Sequence, residues 1–398
     1  MSVLKRILEL AAKDRRRIAL AEGEDARMIQ AARRLQDEKL AHPLLLGNIA
    51  VMKKAAQGAG VSLDGLELLE PAAAPRLQEY AGCLFEKRKA KGMTPEKALE
   101  TVKDPLYYAA LMLDSGEVDG FVAGAVNSTA NVFRAGLQVT GLAKGIKTAS
   151  SCFLMVVPDC EYGANGAFIY SDCGLLPFPD AAQLADIAIA SHAMAKALLQ
   201  TTPCLALLSF STAGSAEHEN LNKILEAKKI INTARPDILV DGELQADAAL
   251  IPAIGASKCP GSKVAGKANV LIFPDLNAGN IAYKLTERLA KATAIGPLPQ
   301  GFAKPFSDLS RGCNANDIVI AAAIVSVQAA GQGPAVGGRS ADTHASAAHA
   351  HTGSREPAVA SAGSGGNVSL DGMNVNSDEE LVRVISDLVV ERIRAMKP

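Results

Sequence analysis

The chain has 398 residues, of which 48% are hydrophobic and 21% charged, and its formal net charge is -1. At about one domain per 100 to 200 residues, this length favours more than one globular unit with a sizeable core. The near-neutral charge gives no electrostatic basis for nucleic acid or a membrane surface as partner. Lys5, Arg6 and Glu9 interrupt the apolar residues of the opening stretch, which therefore lacks the core of a signal peptide. The apolar runs fall short of the roughly 20 residues needed to cross a bilayer. Seven cysteines, an odd number without a CxxC pair, fit a reducing cytoplasm and argue against a disulfide framework or a zinc site.

In chain order, β-rich runs alternate with helical patterns. "RIALAE" precedes a helix over 24–40, "HPLLLG" a helix over 49–59, and "VDGFVAG" a helix over 129–139. "CLALLSFS", "DILVDGEL" and "ANVLIFPDL" are each followed by a further helical segment. This alternation predicts an α/β fold with largely parallel sheets. A break over 142–151 and a Pro/Gly cluster over 296–305 divide it into two α/β domains, residues 1–144 plus 298–331 and residues 145–297. "IVIAAAIVSVQAA" reads as a buried helix.

After Gly331 the composition changes. Residues 332–376 are rich in Ala, Gly and Ser and hold no aromatic residue, which predicts a disordered linker with His344, His349 and His351 in solvent. Residues 377–398 predict an amphipathic helix: Ser377 and Glu380 match a capping box, and Leu381, Ile385, Leu388 and Met396 recur on one face.

Ligands of parallel α/β folds bind where strands end and helices begin, because unpaired N–H groups and the helix dipole attract anions there. Ser128 and Thr129 lead into a helix bearing Arg134; Ser211, Thr212 and Gly214 occupy a second such junction, and Asn277 a third. Each could hold a phosphate or serve only as a cap or turn. Arg88, in "FEKRKAKG", reads by itself as a solvated member of a basic run. "DLSRGCNANDI" packs Asp308, Ser310, Arg311, Cys313 and Asp317 in front of the buried helix, and spacing alone does not rank them.

"VPDCEYG", "LVDGELQADAA", "GSKVAGKANVLIFPDLNAGNIAYKL", "GPLPQGFAKPFSDLSRGC" and "VQAA" closely resemble the phosphotransacetylase (phosphate acetyltransferase) family over residues 1–331. The resemblance implies two α/β domains around an interdomain cleft, akin to isocitrate and isopropylmalate dehydrogenases, with 145–297 forming a homodimer. It implies reversible acetyl transfer between coenzyme A and inorganic phosphate, giving acetyl-CoA and phosphate from acetyl phosphate and CoA. Coenzyme A is then a substrate, and neither cofactor nor metal is implied. A phosphate butyryltransferase or other short-chain acyltransferase of the same superfamily is the alternative.

Matched by motif, the catalytic residues implied are Ser310, Arg311 and Asp317, with Arg88 and Arg134 binding substrate. Cys160 in "VPDCEYG" is read as a bystander and Asp308 has no role assigned. Cys313 is a chemically competent nucleophile for an acetyl-enzyme, but the resemblance favours direct attack of the CoA thiolate in a ternary complex. Asp317 as general base meets a difficulty. Taking a proton from a thiol of pKa about 8.5 onto a carboxylate of pKa about 3.9 is uphill by roughly 6 kcal/mol, so both groups must be shifted.

The extension resembles the encapsulation peptides that carry enzymes into bacterial microcompartments. That implies shell or cargo proteins as partners of 377–398 and the compartment lumen as a location.

Overall fold

The computed structural model describes residues 2–331 and two short strands, Val368–Leu370 and Met373–Val375. Helix α1 (Val3–Lys13) begins on the Ser2 side chain, which accepts from Lys5 N–H, and buries Val3, Ile7 and Ala11 at helical spacing. There follow β1 (Arg17–Leu20), α2 (Ala26–Asp37), β2 (His42–Leu46), α3 (Ile49–Ala59) and β3 (Glu67–Leu69). Next come α4 (Leu77–Arg88), α5 (Pro95–Val102), α6 (Pro105–Ser115), β4 (Gly120–Ala123) and α7 (Thr129–Val139). Asn48 and Ser128 cap α3 and α7 with their side chains; α3 ends on Gly60 in the left-handed conformation.

The second half contains β5 (Ser150–Val156), the kinked turn α8 (Tyr162–Asn165), β6 (Ala167–Ser171), α9 (Ala181–Leu199), β7 (Cys204–Leu208) and α10 (Glu219–Ala234). It continues with β8 (Leu239–Leu244), α11 (Ala246–Leu250), α12 (Pro252–Lys258), β9 (Val270–Ile272), α13 (Leu276–Leu289) and β10 (Thr293–Gln300). β11 (Phe306–Asp308) and α14 (Ala315–Ala330) close the run.

The strands form two sheets. One has five strands in the order β11-β4-β1-β2-β3, all parallel. The other has six, in the order β10-β5-β6-β9-β7-β8. The expectation of largely parallel sheets holds for seven of the nine pairings in these two sheets, with two exceptions. β10 with β5 and β5 with β6 are antiparallel, and only β6, β9, β7 and β8 run parallel. β5 and β6 are buried along almost their whole length, so they lack the alternating pattern by which a hairpin announces itself. β10 carries Gly296, Pro297 and Pro299, read in sequence as a break, with a register shift between Ile295 and Leu298. It lies at the sheet edge, where missing N–H donors are tolerated. The division expected at 297/298 thus falls inside a strand.

The buried helix before Gly331 is α14, and it serves both sheets. Ile318, Val319, Ala321, Ala322 and Val325 pack into the cluster that contains Ile18, Leu20 and Val122 of the five-stranded sheet. Ala323, Ile324 and Val327 enter the cluster that contains Leu154, Ile169, Leu205 and Val270 of the six-stranded sheet. A helix apolar all round is stable only when enclosed. Each of its fully buried Ile and Val side chains contributes about 1.5–3 kcal/mol. The start of α14 is thereby fixed against the ends of β1 and β4.

The other described segment is a pair of three-residue antiparallel strands, β12 (Val368–Leu370) and β13 (Met373–Val375), with Leu370 opposite Met373. They lie within the stretch expected to be linker. The sequence between them is Asp371-Gly372, a dipeptide favoured in two-residue hairpins, a local signal that bulk composition conceals. The rest of 332–376, including the three histidines, and the helix expected over 377–398 lie outside the described residues.

Candidate active site

The ends of β1, β4 and β11 lie side by side, and the loops leaving them hold most of the expected site residues. Glu22, just beyond β1, organises the first of these loops. Its carboxylate accepts from the N–H groups of Gly124, Ala125 and Asn127 at 3.1, 2.7 and 2.7 Å, and from the Asn127 amide at 3.0 Å. A carboxylate holding that many donors fixes the turn between β4 and α7. Gly124 sits there at a φ of +109°, and a Cβ on it would lie 2.4 Å from Asp308 Oδ1. Only glycine fits between the two loops.

Arg27 ties this turn to the loop after β11. Its guanidinium donates to the carbonyls of Arg311 and Cys313 at 2.8 and 2.9 Å and to the Ala125 carbonyl at 2.9 Å, while Asp25 holds it at 2.7 Å. Behind the loops, Phe121, Phe133, Phe302 and Phe306 form a connected aromatic cluster, with Phe121 and Phe306 stacked at 4.8 Å between ring centres. This cluster sets the distance of α7 from β4 and β11.

Ser310 and Arg311 are exposed on the β11–α14 loop, where the Ser310 hydroxyl accepts from Gly312 N–H at 3.2 Å. Asp317 is exposed in the first turn of α14 and completes a capping box. Its Oδ2 accepts from Asn314 N–H at 2.9 Å, and Asn314 accepts in return from Asp317 N–H at 3.1 Å. Asp317 therefore has a structural duty at the position where the resemblance implies a base. Cys313 is 7% exposed within the apolar cluster, and burial pushes its thiol up. It is a packing residue, poorly suited to be a thiolate nucleophile.

Asp308, left unassigned by the sequence, is 5% exposed at the end of β11. Burial pushes its carboxyl up to about 7. Thr129 nearby pulls the other way, the Glu22 charge adds to the rise, and Leu309 N–H and the Arg311 charge lower it.

Thr129 is the first residue of α7 and Ser128 its cap, accepting from Asn131 N–H at 3.3 Å. Arg134 lies one turn further along and donates to Asn131 Oδ1 at 2.8 Å. Arg88 is 8% exposed at the end of α4, so the solvated reading fails. Both arginines act on Tyr107: burial raises its phenol while the charges of Arg134 and Arg88 lower it. Tyr107 OH in turn donates to Gln138 Oε1 in the last turn of α7 at 2.9 Å, and two guanidinium groups in one neighbourhood can hold a polyanion.

The remaining expected residues sit on the six-stranded sheet. After β7, Ser211 Oγ donates to Glu243 Oε1 at 3.0 Å, Gly214 N–H donates to the same oxygen at 2.7 Å, and Thr212 Oγ1 bonds Gln245 at 3.3 Å. Asn277 is exposed in the first turn of α13, whose cap is Asp275. Among the described residues, no hydrogen bond joins either junction to the β11–α14 loop. Cys160 packs beside a cluster on that sheet.

Sequence reading missed Glu22, Arg27 and Tyr107. Two signals were present: an acid at the C-terminal end of the first parallel strand, and an arginine in the first turn of a helix, where the dipole disfavours it. Among the described residues no group of His, Cys, Asp and Glu could hold a metal ion, and no helix is long and apolar enough to cross a membrane.

Known proteins bear on the same residues. The model of the phosphate acetyl/butaryl transferase family matches residues 2–326. A phosphate acetyltransferase of Acetivibrio thermocellus is 51% identical over 329 residues, covering 83% of this chain and 98% of that protein. Another, of Thermoanaerobacterium thermosaccharolyticum, is 47% identical and covers 83% of this chain and all of its own length. Among solved structures, a phosphotransacetylase from Streptococcus pyogenes superposes with a TM-score of 0.77 at 36% identity, covering 83% of this chain and 98% of its own. With a match spanning both sheets and the loops between them, the chain belongs to the phosphate acetyl/butaryl transferase family.

Proposed function

We propose that the chain is a phosphate acetyltransferase, moving an acetyl group reversibly between coenzyme A and inorganic phosphate, with coenzyme A as a substrate and no further cofactor. The observation that carries this is the family match over residues 2–326 together with 51% and 47% identity to two phosphate acetyltransferases. The arginines beside α7 supply what such substrates require, since the leaving phosphate and the CoA pyrophosphate are both anions.

In this reading the acyl phosphate lies at the start of α7, with Thr129 and the Ser128–Thr129 backbone on its phosphoryl group and Arg88 and Arg134 neutralising it. Arg311 stabilises charge on the phosphoryl or carbonyl oxygens, and the Ser310 hydroxyl donates to the developing oxyanion. Asp317 takes the thiol proton as the sulfur attacks the acetyl carbonyl; the C–O bond to phosphate then breaks, and phosphate leaves. Ser211, Thr212, Gly214 and Asn277 line the opposite side, toward CoA, across a cleft of the kind found in isocitrate and isopropylmalate dehydrogenases. The test is formation of acetyl-CoA from acetyl phosphate and CoA, repeated with propionyl and butyryl phosphate. Acetyl phosphate should have the highest kcat/KM, and preference for butyryl phosphate would overturn the assignment.

We place the enzyme in the cytoplasm as a homodimer. Supporting this, Ile281, Leu285 and Leu289 are exposed four residues apart on α13, an apolar stripe that a second copy would cover. Leu285→Glu should halve the mass measured by sedimentation; a monomeric wild-type chain would rule the dimer out. Residues 377–398 we assign to targeting into a microcompartment, on the amphipathic pattern of their sequence. Fused through 332–398 to a fluorescent protein, they should give puncta in cells making shells, and diffuse signal would sink the idea.

A further inference from the structure

The turn between β4 and α7 carries an apolar side chain that the fold leaves in solvent. Val126 is 62% exposed, while Ala125 before it is buried. The backbone around it is fixed: Glu22 accepts from the N–H groups of Gly124, Ala125 and Asn127, and Arg27 donates to the Ala125 carbonyl at 2.9 Å. A β-branched side chain has little freedom at χ1, so on this backbone Val126 is a rigid surface. The other large apolar side chains exposed among the described residues lie on α3, α10 and α13 or on loops of the six-stranded sheet. Val126 is the one on a loop leaving β1, β4 or β11. The Arg27 guanidinium also donates to the Arg311 and Cys313 carbonyls, so the turn carrying Val126 and the loop carrying Ser310 and Arg311 meet on one side chain.

We infer that Val126 is a specificity-determining residue, the wall against which the acyl chain of the substrate ends, and that it limits the enzyme to short acyl groups. The inference rests on the acetyl transfer proposed above, with the phosphoryl group at the start of α7 and the carbonyl oxygen facing Ser310 and Arg311. The carbonyl carbon of an acyl phosphate carries a phosphate oxygen, a carbonyl oxygen and the acyl chain. The first two are then placed, and the sulfur attacks from outside the plane that they define. The acyl chain lies in that plane. Val126, two residues before the Ser128 cap and next to the carbonyl that Arg27 holds, is the apolar side chain this rim offers it. Contact between the two removes apolar surface of both from water. A longer chain meets methyl groups that cannot rotate away, on a backbone that cannot shift without breaking the bonds to Glu22 and Arg27.

The test is the ratio of kcat/KM for propionyl phosphate to that for acetyl phosphate, with inhibition by inorganic phosphate, which carries no acyl chain, measured alongside. Val126→Ala should raise the ratio by about tenfold, the effect of room for one methylene in an apolar pocket, and Val126→Leu should lower it by a similar factor. Val126→Thr, which has the shape of valine, should keep the wild-type ratio. The inhibition constant of inorganic phosphate should stay near that of the wild type in all three. A ratio unmoved in Val126→Ala and Val126→Leu overturns the inference, and either variant suffices to read it if the other does not fold. A ratio that moves only together with weakened phosphate inhibition shows a distorted turn and overturns the inference as well. These outcomes leave the acetyl transfer standing; a wild-type chain that makes no acetyl-CoA overturns both.

Discussion

Three side chains between the end of β11 and the first turn of α14 carry carboxyl or thiol groups, and burial sorts them. Cys313 is enclosed and its thiol pushed up, Asp308 is enclosed and its carboxyl pushed up to about 7, and Asp317 is exposed at the start of a helix. Of the three, Asp317 is the one open to a ligand arriving from solvent. Asp317→Asn, which keeps an oxygen for the capping box, should lower kcat by at least about 100-fold with little change in KM for CoA or in Tm. A near-normal kcat would leave Asp317 only its cap. Asp308 gives a second, independent signature. The folded chain holds its proton up to about pH 7, whereas the unfolded chain releases it near 4. The stability it contributes is thus fully present below about pH 4 and lost as pH rises toward 7. Asp308→Asn should flatten that part of the Tm curve; an unchanged curve would show that Asp308 titrates normally.

At the scale of elements, legibility followed locality. The helices over 49–59 and 129–139 coincide with α3 and α7, because a cap residue and an apolar stripe are written in adjacent positions. β5, β6 and β10 were not legible. β10 pairs with β5 far back along the chain, β5 and β6 are buried almost throughout and so lack the alternation of a hairpin, and the prolines that argue against a strand are harmless at a sheet edge. The site shows the same division. Ser310, Arg311 and Asp317 were named from one contiguous motif, whereas Glu22 and Arg27 act on loops about 100 and 285 residues away along the chain. The resemblance implies one site for Arg88 and Arg134, and the charges of both act on the Tyr107 phenol, which no local pattern indicates.

For the whole molecule, α14 joins the reactive loop to both sheets: its first residues form the Asp317 cap and its later ones enter both cores. Everything assigned to catalysis lies within 2–331, the span that the family match covers to residue 326. The central claim is tested most directly by mixing acetyl phosphate and CoA with the full chain, and with a truncation at Gly331, and following thioester formation. The account predicts acetyl-CoA in a reaction that needs both substrates, with equal kcat for the two chains. Absence of thioester, or exchange of labelled phosphate into acetyl phosphate without CoA, would contradict it.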